Sequence, residues 1–405
     1  MAALTEPWSK RHKAVTRNDR EGLQYNLSNS FAQPTSQAEL ERLARERGDD
    51  ELIAAYRDHP LGYTPNGGSR DCRAAVADSI FSACQADDVL ITAGGQVALQ
   101  TVAFALLEAT SSFVRGYETP RSHAVVFTPS YQSCQEAPLH AGAAVRKVRL
   151  TRANGWDIDL TDLEIACRAD TKLILINQPW NPAGTLVSRE KLEGIVEIAR
   201  RHNAWILADE IYRFLEHDAA TRLPAIADIY ERGVSIGALS KPFGAGGASL
   251  GWIACRDAEA RQAFKDAMYF GTACPARASE LQALMVLRAR DVLLERNLGI
   301  IRRNLEIVER FLGENSDLFS YVKPTAGCVL WVEFKGPLTS TELGAALAEA
   351  GISMKPSYCF TPDPDDGVDQ YFRIGFGEEK VPAAIEALAR FVEAKRNEWG
   401  FPRRA

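Results

Sequence analysis

The sequence lacks several things whose presence would have fixed its class. It has no run of about 18 consecutive apolar residues, so nothing in it reads as a membrane span. Its eight cysteines, Cys72, Cys84, Cys134, Cys167, Cys255, Cys274, Cys328 and Cys359, lie far apart and form no CxxC pair. That pattern offers no disulfide framework, and free buried thiols in a reducing compartment are the expectation. The six histidines show no HExxH or similar ligand spacing, so no metal is expected. A formal net charge of −6 leaves no basic stripe of the kind nucleic acid requires, and no such partner is expected. The opening residues, MAALTEPWSKRHKAVTRNDREG, contain no apolar segment followed by a small-residue cleavage site, which predicts a cytoplasmic protein. Internal repeats and low-complexity blocks are also missing.

What is present is an alternation. At 405 residues, with 46% hydrophobic and 25% charged, the chain has the composition of a globular protein and the length for a large domain plus a smaller one. From about residue 70, short apolar runs alternate with helical periods: DVLITAG then QVALQTVAFALLEA, HAVVFTP, AAVRKVRL, KLILINQP then REKLEGIVEIARRH, AWILADE, GVSIGALS and LGWIAC. Strands apolar on both faces, interleaved with helices, predict an α/β fold with a mostly parallel, doubly wound sheet. After about residue 280 the pattern becomes a long helix, SELQALMVLRARDVLLERNLGIIRRNLEIVERFL, followed by GCVLWVEF and YFRIGF, which predicts a smaller α+β unit. The chain then divides into an arm and helix over 1–44 associated with the small unit, a large domain over 45–285 and a small domain over 286–405. Ser36 is placed to cap the helix in SQAELERLARER.

Ligands of open α/β sheets sit outside the carboxyl ends of the strands, and the unusual residues fall there. In ITAGGQVALQ, Gly94 and Gly95 would let backbone N–H groups at a helix start approach an anion, although a plain tight turn needs the same glycines. In FTPSYQS, Tyr131 follows a strand end and could stack on a planar ring or simply pack. Asn181, in INQPWNPAGT, could donate to a ligand oxygen or stabilise a turn. WILADEIYRF ends a strand in Asp209, with Tyr212 shortly after, and a carboxylate buried there needs a cation or donors. A protonated pyridine nitrogen or a structural arginine would serve. In ALSKPFGAGGASLGW, Lys241 sits in glycine-lined, mostly apolar company that would favour the neutral, nucleophilic amine, unless the loop faces solvent.

Taken in this order, Asn181, Asp209, Tyr212 and Lys241 resemble the fold-type I pyridoxal-phosphate enzymes, specifically the class I/II aminotransferase family, from LGYTPNGGSRDCRAAVA to YFRIGFG. The resemblance implies a large domain with a mostly parallel seven-stranded sheet between helices, a smaller α+β domain, pyridoxal 5'-phosphate as cofactor, and a homodimer with shared active sites. It implies that Lys241 bonds the cofactor carbonyl and later moves the substrate's α-proton, and that Asp209 pairs with the pyridine nitrogen. Asn181 and Tyr212 would donate to the phenolic oxygen and Tyr131 would stack on the ring. Gly95 and Gln96 would hold the phosphate with Ser240 and Ser249, and Tyr63 would reach the phosphate of a neighbouring subunit. Arg373, in YFRIGF, would grip the substrate's α-carboxylate with its bidentate fork.

Departures from the family pattern carry information too. Ala238 stands where a serine is usual, and Ser249 where an arginine usually meets the phosphate. Arg277, in TACPARASELQ, lies in a segment that in the family approaches the active site of a partner subunit, and the resemblance makes it a candidate replacement cation there. The segment YNLSNSFAQP departs from a pattern with a glycine near the substrate, and with TPSYQS and NQPWNPAG it is similar to capreomycidine synthase and pyridoxal-phosphate arginine oxidases. Amino-group transfer is the first expectation. Elimination, replacement, cyclisation or oxidation of an arginine-like or other specialised-metabolism amino acid is the alternative, since all need the same acid, base and electron sink. A cofactor-binding regulator is remote, because the residues ahead of DHPLGYTP are too few and not basic enough for a DNA-binding module. Asp19 and Glu21 are weak candidates for recognising a cationic side chain.

Overall fold

The computed structural model describes residues 24–107, 122–362 and 367–402. In chain order the strands are β1 (Tyr25–Asn26), β2 (Val89–Thr92), β3 (His123–Thr128), β4 (Ala144–Arg149), β5 (Thr171–Asn177), β6 (Trp205–Asp209), β7 (Gly233–Ala238), β8 (Gly251–Ala254), β9 (Phe319–Tyr321), β10 (Val329–Phe334), β11 (Ile352–Ser353), β12 (Lys355–Pro356) and β13 (Tyr371–Gly375). Seven of them form one sheet in the order β2-β8-β7-β6-β5-β3-β4. The pairs β3–β4, β3–β5, β5–β6 and β6–β7 are parallel, while β8 runs antiparallel to both β7 and β2. Every residue of β2, β3, β7 and β8 is buried, as strands covered by helices on both faces must be. The edge strand β4 keeps a partly exposed, mixed pattern, which explains why AAVRKVRL carries three charges.

A second, antiparallel sheet has the order β12-β13-β10-β9. The arm contributes β1, which pairs in parallel with β11, whereas the helix Gln37–Glu46 buries Leu40, Leu43 and Ala44 in a core shared with Val76, Phe243 and Leu284. Ser36 caps that helix by accepting from the Glu39 N–H at 3.1 Å. The helix expected as one long segment breaks at Ala289, whose φ of −96° and ψ of 8° leave the helical region. The break has a packing cause. Leu281 to Leu287 face the core that holds Phe243 and Trp252, while Ile301 to Leu312 face the one beneath β10 and β13. All eight cysteines are free, and among the described residues no helix is long and apolar enough to cross a membrane.

Candidate active site

The carboxyl ends of β2, β3, β5, β6 and β7 open onto one cavity of about 320 Å³. Gly95, Gln96, Tyr131, Asn181, Asp209, Tyr212, Ser240, Lys241 and Ser249 all line it, although they come from segments spread over more than 150 residues of sequence. Glu210, the neighbour of Asp209, points the other way: it accepts from the Ile226 N–H at 2.9 Å and the Ser235 hydroxyl at 2.8 Å. The alternation of a strand end thus sends one carboxylate to the cavity and one to the core.

Asp209 is buried, and burial pushes its carboxyl up to about 6 despite hydrogen bonds from the Ile211 N–H at 3.2 Å and the Cys134 thiol at 3.5 Å. Lys241 shifts in the opposite sense. Loss of water around its amine brings it down to about 8, and Arg373 and Lys355 add repulsion. No ion pair joins Asp209 to Lys241 among the described residues; the cavity lies between them. Each is therefore left wanting a partner, the acid a cation and the amine a carbonyl.

Arg373 is buried on β13 with its guanidinium 5.2 Å from the ring centroid of Phe360. Its Nη1 donates to Asn181 Oδ1 at 2.9 Å and its Nη2 to the Ser28 carbonyl at 2.7 Å. The Asn181 amide is thereby oriented, with its carbonyl turned to Arg373 and its Nδ2 left to donate elsewhere. Arg373 Nε is buried without a partner, the state of a donor that awaits an acceptor. The Tyr131 hydroxyl donates to Gln96 Oε1 at 3.2 Å, and that of Tyr212 to the Ser30 carbonyl at 3.0 Å.

At the other end of the cavity the helix Gly95–Leu106 begins at Gly94, whose φ is 88°. Gly251 lets β8 lie against that start, since a Cβ there would sit 2.6 Å from the Gly94 carbonyl carbon and 2.7 Å from Gly95 N. Ser249, at φ 48°, presents its hydroxyl toward Gly94. Free N–H groups, the positive end of a helix dipole and the hydroxyls of Ser240 and Ser249 form an anion cradle. The donor set therefore fits pyridoxal phosphate: a buried acid for the ring nitrogen, a poised amine for the carbonyl and a cradle for the phosphate.

Several expected residues lie elsewhere. Arg277 does not join the cradle; it pairs with Asp71 and Glu280, each at 2.9 Å, and donates to Ser69 Oγ at 3.0 Å. Its charge is matched by two carboxylates, and it does not line the cavity of its own chain. Tyr63 is 96% exposed and away from the cavity. Asp19 and Glu21 lie outside the described residues. Sequence reasoning also misses Ser30, whose Oγ accepts from Lys241 Nζ at 3.1 Å, and Cys134 beneath Asp209. The signal for Ser30 was the serine-rich departure in YNLSNSFAQP.

Comparison with known proteins converges on one family. The model for aminotransferase class I and II matches residues 27–388. An aspartate aminotransferase of Streptomyces avermitilis is 26% identical over 358 residues, covering 82% of this chain and 82% of the relative. Nicotianamine aminotransferase A of Hordeum vulgare is 26% identical over 356 residues, covering 84% and 74%. A solved PLP-dependent aminotransferase of Streptococcus suis has a TM-score of 0.82 at 26% identity and covers 95% of both chains. An aspartate aminotransferase of Thermus thermophilus has a TM-score of 0.76 at 20% identity, covering 92% and 98%, a likeness of fold. These findings favour amino-group transfer over the elimination, cyclisation and oxidation alternatives.

Proposed function

Since the chain belongs to the aminotransferase class I and II family, we propose that Lys241 is its working amine and that an amino acid and a keto acid exchange an amino group in the cavity at the strand ends. Pyridoxal phosphate, when bound, supplies a carbonyl that takes up the amino group and a ring that accepts electrons. Asp209 would hold the proton of the ring nitrogen, which a carboxylate freed of water does strongly. Asn181 Nδ2 would donate to the phenolic oxygen, as would the Tyr212 hydroxyl on turning from the Ser30 carbonyl, and Tyr131 would cover a face of the ring. The N–H groups of Gly95 and Gln96, with Ser240 and Ser249, would hold the phosphate.

Arg373 binds the α-carboxylate of the amino acid and so orients its α-carbon. Lys241 Nζ, neutral in a good fraction of molecules near pH 8, takes the α-proton and holds it for return. The segment 28–33 lies over both residues and limits the access of water. Residues 45–285 make the cofactor-binding unit, and 286–405 supply Arg373. Leu61 and Tyr63 are 95% and 96% exposed, unusual for apolar side chains, and this supports a homodimer in which Tyr63 reaches the cradle of a second copy. The composition and the eight free, scattered cysteines support a cytoplasmic setting.

The observation that carries the reading is the unpaired juxtaposition of a raised acid and a lowered amine across one cavity. Purified holoenzyme mixed with single amino acids, its absorption followed before and after adding a keto acid, tests it. The expected result is a spectral change that the keto acid reverses. Product released with no keto acid present would sink amino-group transfer.

A further inference from the structure

Among the described residues one side chain makes a hydrogen bond to Lys241 Nζ, and it comes from the amino-terminal arm: Ser30 Oγ, at 3.1 Å. The arm is not loosely draped there. Leu27 N donates to the Ser353 carbonyl at 2.9 Å, Gly375 N to the Leu27 carbonyl at 2.7 Å, and Ala32 N to the carbonyl of Lys241 itself at 3.1 Å. A Cβ on Gly375 would fall 1.6 Å from the Asn29 carbonyl oxygen, and one on Gly244 would fall 2.0 Å from that of Gln33. The arm is thus seated directly on β13 at one side and on the lysine loop at the other. Between these seats the Ser30 carbonyl accepts from the Tyr212 hydroxyl when that group has no other acceptor, and the backbone seats at Leu27, Asn29 and Ala32 fix the residue whose hydroxyl meets the amine.

An unattached lysine side chain has a long, flexible stem, and nothing in its own covalent geometry aims it at a bound α-carbon. A hydroxyl is suited to aim it in both protonation states, because it can accept from an ammonium and donate to a neutral amine. A carboxylate at that place would hold the lysine charged, and a carbonyl could only accept. We propose that Ser30 is a positioning residue for amino-group transfer, its hydroxyl holding Lys241 Nζ toward the α-carbon that Arg373 orients while the amine carries the transferred proton. The proposal rests on the reading of Lys241 as the working amine. It adds a function for the arm, which joins the two units at the reacting atom.

The groups that face Lys241 are Asp209, Tyr212, Arg373, Cys328 and Lys355. Replacing Ser30 alters the charge of none of them, so a change in proton behaviour on removing the hydroxyl is traceable to that group. The test compares wild-type, Ser30→Ala and Ser30→Thr holoenzymes in two measurements. In single turnovers with an amino acid carrying hydrogen or deuterium at the α-carbon, Ser30→Ala is expected to slow the rate about tenfold at unchanged KM and to enlarge the isotope effect. In a pH titration of the holoenzyme's absorption band, Ser30→Ala should lower the midpoint by about half a unit to one unit, since the protonated nitrogen loses an acceptor. Ser30→Thr, which keeps the hydroxyl, should restore most of both.

A rate within twofold of wild type with the midpoint and isotope effect unchanged would overturn the proposal. So would a threonine variant as impaired as the alanine one, which would mark a purely steric role. If the wild-type holoenzyme turned over no amino acid, the functional reading would fail separately, and the absorption midpoint alone would still decide for or against Ser30.

Discussion

At one end of the cavity Asp209 and Lys241 are deprived of water, with no ion pair between them, and each is displaced from its ordinary protonation range. At the other end Gly95, Gln96, Ser240 and Ser249 offer N–H groups, hydroxyls and a helix dipole, and among the residues lining the cavity no arginine joins them. The reacting end works through burial, which acts on any ionisable group put there and makes each one hard to replace. The phosphate end works through many weak dipoles, so any one of them is a small part of the grip. This contrast predicts steep losses on the first side and graded changes on the second.

The steepest loss belongs to Lys241→Ala. It removes both the covalent anchor and the proton carrier, and kcat should fall by about 10⁴-fold or more, with the lysine-dependent absorption band gone. Steady-state rates with a spectrum of the same sample check this. A variant that kept the band would place the working amine elsewhere and dissolve the contrast.

Asp209 comes next. Its replacement by alanine should cost about 10²- to 10³-fold in kcat, because the ring nitrogen would lose the buried anion that lines the cavity. The wild type offers a gentler probe. The carboxyl sits near 6, so it is charged above that pH and neutral below it. Affinity for the cofactor should therefore weaken as pH falls through about 6, and Asp209→Asn should lack this step. Fluorescence titration of cofactor into stripped protein at several pH values measures it.

The phosphate end should respond the other way to an added charge. Ser249→Arg restores a guanidinium to a cradle of dipoles, and a charge-assisted hydrogen bond typically contributes about 1.5–3 kcal/mol. Residue 249 has φ 48°, which costs a non-glycine side chain about the same in either variant. Cofactor dissociation on dialysis should slow by about tenfold or more. No change would mean that the dipoles already hold the phosphate as firmly as the site allows.

How much of this was readable in advance depends on how local the signal is. The strand ends declare themselves because a buried parallel strand is apolar along its length and then ends, at Asp209 in β6 or at Asn177 and Ala238 shortly before Asn181 and Lys241. The cap at Ser36 needs only four residues of sequence. By contrast the break at Ala289 follows from two cores lying in different directions, which no periodicity within RARDVLL records. The pairing of Arg277 with Asp71 is not legible in the sequence because the two lie 206 residues apart, unlike its pairing with Glu280 one helical turn on. Ser30 was hidden for a similar reason: the arm has no alternation of its own, and its conformation is imposed by β11, β13 and the lysine loop.

Tyr63 tests whether the phosphate end is finished by this chain alone. Its side chain is 96% exposed here and touches none of the cradle. If a second copy brings its tyrosine to the phosphate, Tyr63→Phe removes one hydroxyl donor among several, and cofactor affinity should drop by only about three- to tenfold. The loss should be the same for the stability of the holoenzyme dimer, because cofactor and partner would then bind to a shared surface and each would favour the other. Sedimentation of wild type and Tyr63→Phe with and without cofactor separates the cases. A variant that loses neither affinity nor dimer stability would show the cradle complete within one chain, and the weak end of the cavity would then owe its grip to Gly95, Gln96, Ser240 and Ser249 alone.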